Sequence, residues 1–115
     1  MKIWNLTPHV IVYERDGIRR EFPSDGKIRI GQINTPLAKI DGMEVNGVEL
    51  GDLEGVPDDV EVDDVVIVSS VVGSFAKQEP FLFRPLVVLC PDTGPTAKRN
   101  AEGQIESVSQ FIRMN

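Results

Sequence analysis

The stretch VVIVSSVVGSFAKQEP at residues 65–80 decides the fold. It opens with an apolar run that turns polar at Ser69 and Ser70, which predicts a central strand buried on both faces. Either serine is suited to cap a short helix over the letters VVGSFAKQ, which Pro80 then ends. Four apolar side chains fall on one face of that helix: Val71, Val72, Phe75 and Ala76.

Outward from this stretch, short segments rich in β-branched residues alternate with turn signals. Strands are predicted for VIVY at 10–13, KIRI at 27–30 and LVVLC at 86–90. Four dipeptides tolerate the positive φ of tight hairpin turns: Asp16-Gly17, Asp25-Gly26, Asp41-Gly42 and Asn46-Gly47. A terminal hairpin is predicted around residues 101–104. We therefore predict a single α+β domain over residues 1–115, β-rich, with mainly antiparallel hairpins and one short helix.

Cysteine and histidine counts limit the chemistry of the chain. Cys90 is the only cysteine and His9 the only histidine, which excludes an internal disulfide and leaves too few ligands for an ordinary zinc site. No run of residues has the length of a signal peptide or a membrane span. These features predict a cytoplasmic protein without a membrane, metal or cofactor partner.

The charge of the chain is concentrated in one acidic segment. Net charge is −6, and residues 52–64, DLEGVPDDVEVDD, hold seven carboxylates and no basic residue. The segment reads either as a solvated loop or as a surface that contacts a basic partner protein. Nucleic-acid binding is not expected, because no basic stripe accompanies the acidic segment.

Two polar constellations are candidates for a binding site. The first is NLTPH at 5–9, where Asn5, Thr7 and His9 share one face of an extended chain. Such a face binds a polar ligand or caps a neighbouring loop, and the sequence leaves both interpretations open.

The second constellation is PDTGPTAKRN at 91–100. Its two prolines restrict the backbone, and Asp92 is suited to an Asx turn. Arg99 is a natural partner for a phosphate or carboxylate, although an internal pair with Asp92 would also satisfy it. The Asp92-Thr93-Gly94 triplet is not read as an aspartic protease motif, because prolines flank it and only 21 residues follow it. No nucleophile elbow or phosphate-binding glycine loop is present.

Several of these motifs together resemble a known group of proteins. NLTPH at 5–9, IVSS at 67–70, RP at 84–85, and PDTGPTAKRN followed by GQI at 103–105 are similar to a family of small phage and prophage proteins. Members share the N-terminal NLTPH motif and a C-terminal PDTG-type loop. The resemblance implies a viral origin and a role in the host cell cytosol, and it implies no established activity.

Three functions remain open on this basis. The first is binding of a small nucleotide-like or phosphate-bearing ligand without catalysis, which would sequester a host immune signal as an anti-defence measure. The second is a protein-interaction module that contacts a host or viral protein through the acidic segment, and the third is a small hydrolase. Homo-oligomer formation is left open, and no catalytic residue is assigned. The predicted ligand-binding residues are Asn5, Thr7, His9, Ser69, Arg84, Asp92, Thr93, Thr96, Arg99 and Asn100.

Overall fold

The described part of the chain contains ten strands, one α-helix and a short 3₁₀ helix. The computed structural model describes residues 1–83 and 85–115, with side chains described at all of these except 33, 49–51 and 82. In chain order the elements are β1 (Ile3–Asn5), β2 (Ile11–Arg15), β3 (Ile18–Phe22), β4 (Arg29–Pro36), β5 (Asn46–Glu54), β6 (Val65–Ile67), α1 (Ser70–Gln78), a 3₁₀ helix (Pro80–Phe83), β7 (Val87–Pro91), β8 (Lys98–Arg99), β9 (Ile105–Ser107) and β10 (Phe111–Arg113). The predicted β-rich α+β fold with one short helix is confirmed.

A four-stranded mixed sheet forms the centre, in the order β1-β6-β7-β10. The first three strands of that order run parallel, and β10 is antiparallel to β7. Helix α1 lies in the crossover from β6 to β7 that parallel neighbours require. Antiparallel pairs still predominate, because the remaining strands form three two-stranded antiparallel sheets. The parallel direction of the central strands is not predicted by the sequence pattern.

Helix α1 packs its apolar side on the central sheet. Val72, Phe75 and Ala76 are buried, as predicted, whereas Val71 is 72% exposed and does not belong to the buried face. Gly73 lies on the buried face of the helix instead, at a position where a Cβ would overlap Cys90 Sγ. The helix therefore lies closer to β7 than a larger residue would permit.

The hydrophobic core fills the space between this helix and the sheet. Its cluster contains alternate residues in and next to the central strands, side chains of α1 and the 3₁₀ helix, and Ile28, which precedes β4. The members are Trp4, Leu6, Ile28, Val66, Val68, Val72, Phe75, Ala76, Phe83, Val88 and Cys90. Cys90 is buried against α1, and burial raises the pKa of its thiol, as for a packing residue.

Two hairpins follow the predicted turn chemistry in different ways. Strands β2 and β3 pair across Asp16 and Gly17, whose φ angles of 53° and 80° fit the primed turn that such dipeptides favour. The second hairpin is formed by β4 and β5, and there the chain reverses at Asp41-Gly42. The predicted turn at Asn46-Gly47 is wrong: both residues begin β5 and pair with the end of β4.

The second hairpin forms a projecting arm, residues 29–54. Among the described residues, strands β4 and β5 pair with each other and with no other strand, with an irregularity between Ile30 and Gln32. Ile30 and Leu53, at the base, pack against the core. The molecule is therefore elongated, with a longest dimension of 56 Å and a radius of gyration of 16.9 Å.

The C-terminal segment divides between two sheets. Strand β8 pairs with β9, which confirms the first half of the predicted terminal hairpin. After β9 the chain turns at Val108, whose backbone bonds to Val12 and Glu14 of the first hairpin. Strand β10 then joins the central sheet.

The acidic segment carries one structural carboxylate. Six of its seven carboxylates are exposed, as a solvated loop predicts, but Asp64 is buried. The Asp64 carboxylate accepts N–H bonds from Glu61 N (2.9 Å), Trp4 Nε1 (3.0 Å) and Lys2 N (2.9 Å). These donors, led by the Glu61 amide, lower the Asp64 pKa to about 2.

Replacing Asp64 by asparagine tests this role through pH. Because the folded-state pKa lies below that of the unfolded chain, the Asp64 contribution to stability is present above about pH 4 and is lost as the pH falls through about 2. We expect Asp64→Asn to unfold at lower urea concentration than the native protein at neutral pH, with the difference disappearing near pH 2. Asp63→Asn, at the exposed neighbouring carboxylate, should leave the urea midpoint nearly unchanged. A constant difference across the pH range would contradict this account.

Candidate ligand-binding site

The NLTPH segment is held together by its own hydrogen bonds. Asn5 is fully buried, and its Nδ2 donates to the carbonyl oxygens of His9 (2.8 Å) and Phe22 (2.7 Å). Its Oδ1 accepts from the amide and the hydroxyl of Thr7 at 3.1 and 2.7 Å. Every polar atom of the Asn5 side chain is therefore used inside the fold, which supports the loop-capping interpretation for Asn5 and Thr7.

The PDTG loop also satisfies much of its own polarity. Asp92 accepts from the Gly94 amide at 3.0 Å in an Asx turn and from Gln110 Nε2. The Gln110 bond, followed by the Gly94 bond, lowers the Asp92 pKa. Arg99 forms no pair with Asp92; its Nη1 and Nη2 donate to the carbonyl oxygens of Gly103 and Thr93, each at 2.8 Å.

Asn100 closes the turn that follows. Its Oδ1 accepts from the amides of Glu102 (2.9 Å) and Gln104 (3.0 Å), and its Nδ2 donates to Gln104 Oε1. Both Arg99 and Asn100 thus brace the β8–β9 connection from its surface. Their hydrogen bonds account for the polar cluster at 91–100 without a ligand.

A small cleft joins the two constellations. It has a volume of about 220 Å³ and includes His9 from the first constellation and Thr93 from the second, beside Glu106. The remaining lining is mostly aliphatic. The cleft is smaller than typical ligand pockets, and its one charged side chain is acidic, so it is poorly suited to a phosphate.

The other predicted residues lie apart from this cleft. Ser69 occupies the N-cap position of α1 without a side-chain cap bond, and it lines a separate cleft beside that helix. Thr96 is exposed, and its carbonyl accepts from Ser109 Oγ at 3.4 Å. Arg84 lies outside the described residues. The ten predicted residues therefore do not form one site among the described parts of the chain.

A larger cleft lies between the first hairpin and the central sheet. Its volume is about 390 Å³, within the range of small-molecule sites. None of the described residues that line it is acidic. Aliphatic side chains of the sheet, three aromatic rings, two arginines and two polar residues form its walls: Ile3, Ile67, Leu89, Tyr13, Phe22, Phe111, Arg15, Arg20, Ser109 and Gln110. We call it the arginine–aromatic cleft.

Aromatic rings line one part of this cleft in a fixed arrangement. Tyr13 and Phe111 are nearly parallel, with ring centroids 6.0 Å apart, and Phe22 meets Phe111 edge-to-face at 6.2 Å. Hydrogen bonds from Val108 N to Val12 O and from Glu14 N to Val108 O hold the hairpin against the C-terminal segment. The rings therefore belong to a wall that is braced by backbone pairing rather than by side chains alone.

The alternation of the hairpin strands separates two neighbouring arginines. Arg19 lies on the outer face, where it forms ion pairs with Glu14 (3.2 Å) and Glu21 (3.0 Å). Arg20 faces the cleft, with its guanidinium carbon 4.9 Å from the Phe22 ring centroid, and forms no ion pair with any described residue. The positive charge of Arg19 is thus paired within the outer face, and the face toward the cleft keeps the positive charge of Arg20.

Arg15 supplies a second cation at the same cleft. Its Nη1 lies 3.5 Å from the Ser109 carbonyl oxygen, and its Nε is 3.8 Å from Asp16 in an exposed pair. An exposed ion pair at that distance contributes little to stability. A ligand anion would therefore compete readily with Asp16 for the Arg15 guanidinium. The cleft therefore offers two cations beside aromatic faces.

Sequence analysis does not identify the arginine–aromatic cleft, although a signal is present. In IVYER and IRREF, the residues facing one way include Tyr13, Arg15, Arg20 and Phe22, an unusual mixture for a face turned toward the protein. The contribution of Phe111 depends on a distant strand. Only the three-dimensional arrangement brings these residues together.

No group of three or more His, Cys, Asp or Glu side chains among the described residues is arranged to hold a metal ion. No helix in residues 1–83 and 85–115 is long and apolar enough to cross a membrane. The resemblance to small phage proteins stays a prediction. No protein-family model, curated protein or solved structure matches this chain.

Proposed function

We propose that this protein binds a small nucleotide-like, phosphate-bearing ligand, without catalysis, in the arginine–aromatic cleft. The observation that carries the proposal is the inward-facing Arg20, stacked over Phe22 and without an acidic partner among the described residues. Guanidinium groups bind phosphate through paired N–H donors, and aromatic faces stack with nucleobases. The two chemistries that a nucleotide requires therefore meet in one cleft.

The polarity of the cleft matches the two ends of such a ligand. Ile67 and Leu89 provide an apolar floor, while Ser109 and Gln110 add hydrogen-bonding groups at the edge. A base would lie against the aromatic wall, and its phosphate would be bound by Arg20 and Arg15. The overall charge of −6 does not oppose this, because the exposed carboxylates of the 52–64 segment do not line the cleft.

The biological role that we propose is sequestration. A phage protein in the host cytosol that binds a nucleotide-derived immune signal would lower its free concentration without needing catalytic groups. This role rests on the resemblance of the two terminal motifs, whereas the binding proposal rests on the cleft. A test of binding is therefore independent of the origin of the protein.

Thermal unfolding with a panel of nucleotides tests the binding proposal. We use mononucleotides, cyclic dinucleotides and dinucleotide cofactors, with the unphosphorylated nucleosides as ligand controls. At a concentration of about 100 times Kd, a ligand adds about 2.7 kcal/mol to the free energy of unfolding, or roughly 10 °C in Tm for this size of domain. We expect at least one phosphorylated ligand to produce such a shift and its nucleoside to produce a much smaller one.

Three arginine variants locate the site. Arg20→Ala should abolish the shift, and Arg19→Ala, next to it on the opposite face, should keep it. Arg99→Ala should also keep it, because Arg99 binds the Thr93 and Gly103 carbonyls away from this cleft. A flat profile across the panel, or loss of the shift in Arg99→Ala but not in Arg20→Ala, would contradict the proposal.

A further inference from the structure

The end of the projecting arm exposes large apolar side chains. Leu37, Ile40 and Met43 surround the turn and are 54–61% exposed, and Val48 on β5 is exposed as well. A two-stranded hairpin is marginally stable in water without further packing. An arm with this tip therefore lacks the support that a packed surface would give it.

The surface area of the chain gives the size of the missing contact. A folded monomer of 12.7 kDa is expected to expose about 6,200 Å². This chain exposes 7892 Å², an excess of about 1,700 Å². Its radius of gyration of 16.9 Å likewise exceeds the roughly 13 Å expected for its length. An excess of this size matches what each chain buries in an obligate homodimer, about 1,000–2,500 Å².

A receptive cleft lies at the base of the same arm. It has a volume of about 330 Å³ and is formed between β4 and α1, with Ile30, Val71, Val72 and Phe75 among its walls. Val71, which the core does not use, is 72% exposed there. Polar and charged residues also line it, and its apolar walls fit an inserted aliphatic or thioether side chain. We call it the helix cleft.

We propose that a second copy of this chain covers both features, with the arm tip of each copy seated in the helix cleft of the other. A two-fold pair makes these two contacts identical, so each copy provides both the inserted tip and the receiving cleft. Val48 lies on the arm face that carries Ile30 and Gln32, by strand alternation, so this face adds one exposed apolar side chain between the tip and the helix cleft. Self-association accounts for tip and cleft together, whereas an unrelated partner would have to provide two different complementary surfaces.

Charges at the two ends agree with this arrangement. Asp41 lies in the tip turn and is exposed, and Lys27 lines the helix cleft. In the two-fold pair, each Asp41 approaches the partner's Lys27. Opposite charges at the rim would favour the correct orientation of the two copies.

Sedimentation of matched glutamate variants tests the pair. At micromolar concentration the native protein should sediment as a dimer, with a molecular mass of about twice 12.7 kDa. Met43→Glu at the tip should raise the dimer dissociation constant by at least roughly 30-fold, as for a central interface residue. Val62→Glu places the same charge at another exposed apolar residue outside the arm and should leave the dimer intact.

A disulfide test covers the case in which Met43→Glu does not fold. A copy with Met43→Cys is mixed with a copy with Val71→Cys under oxidising conditions, and a cross-linked pair of the two is expected. Val62→Cys in place of Val71→Cys should give none. If the native protein sediments as a single copy, either alone or in complex with a different protein, the proposal is overturned. A dimer that is unaffected by Met43→Glu and forms no 43–71 cross-link would overturn it as well.

Discussion

Asn5→Ala is expected to lower the free energy of unfolding by about 3 kcal/mol, because the Phe22 carbonyl and the Thr7 amide lose their only described side-chain partner and the His9 carbonyl keeps only the Thr7 hydroxyl. The carbonyls of His9 and Phe22 and the amide of Thr7 all bond to the fully buried Asn5 side chain. No water can replace a side chain at such a position without a cavity large enough to hold it. Equilibrium urea unfolding, followed by Trp4 fluorescence, measures the loss.

An exposed polar residue outside the arm provides the control. Thr96→Ala removes a polar side chain at the surface and should alter the free energy of unfolding by less than about 0.5 kcal/mol. If Asn5→Ala instead retains native stability and changes only the affinity for a ligand, the NLTPH segment belongs to a binding site after all. That result would contradict the structural role assigned to it here.

Gly73→Ala is expected to destabilise the protein by about 2 kcal/mol, although alanine favours helices. The added methyl group would overlap Cys90 Sγ and come within 3.1 Å of Met114 Cγ. Relief requires the helix to move away from the sheet or Cys90 to leave its position against the Ser69 carbonyl. Thermal and urea unfolding of the variant measure the cost.

Removing the sulfur should restore part of that loss. In Gly73→Ala combined with Cys90→Ala, the two changes are expected to couple favourably by about 1–2 kcal/mol, because the second provides the space that the first requires. Cys90→Ala alone serves as the reference for the lost packing. A stabilising effect of Gly73→Ala by itself would show that helix propensity outweighs the close approach of α1 to β7.

The local elements of the fold follow directly from sequence. The change from apolar to polar residues at Ser69 and the proline at position 80 give the limits of the short helix. Asp16-Gly17 gives the first hairpin turn. Side-chain period alone does not give strand direction, because a fully apolar run such as 65–68 fits parallel and antiparallel sheets equally. Asn46-Gly47 forms no turn, because its turn propensity yields to ladder pairing with residues 35 and 36.

The binding site is less accessible to sequence reasoning than the fold. Polar motifs that contain prolines resemble binding sites in the sequence. In the structure, however, the side-chain N–H groups of Asn5 and Arg99 donate to backbone carbonyls of the protein itself. Hydrogen-bonding capacity in a sequence does not reveal whether the partner is internal. The cleft instead depends on Arg20 and Phe111, which are 91 positions apart and meet because Val108 bonds the first hairpin to the C-terminal segment. Distant pairing of this kind has no local signature.

Amide chemical shifts during nucleotide titration test the central claim most directly. Isotope-labelled protein is titrated in turn with a mononucleotide, a cyclic mononucleotide and a cyclic dinucleotide, and the perturbed residues are mapped. Binding in the arginine–aromatic cleft predicts saturable shifts within 13–22 and 109–111, and none of that pattern in Arg20→Ala. Saturable shifts confined to 5–9 and 92–100, or no saturable shift with any of the three, would contradict the account.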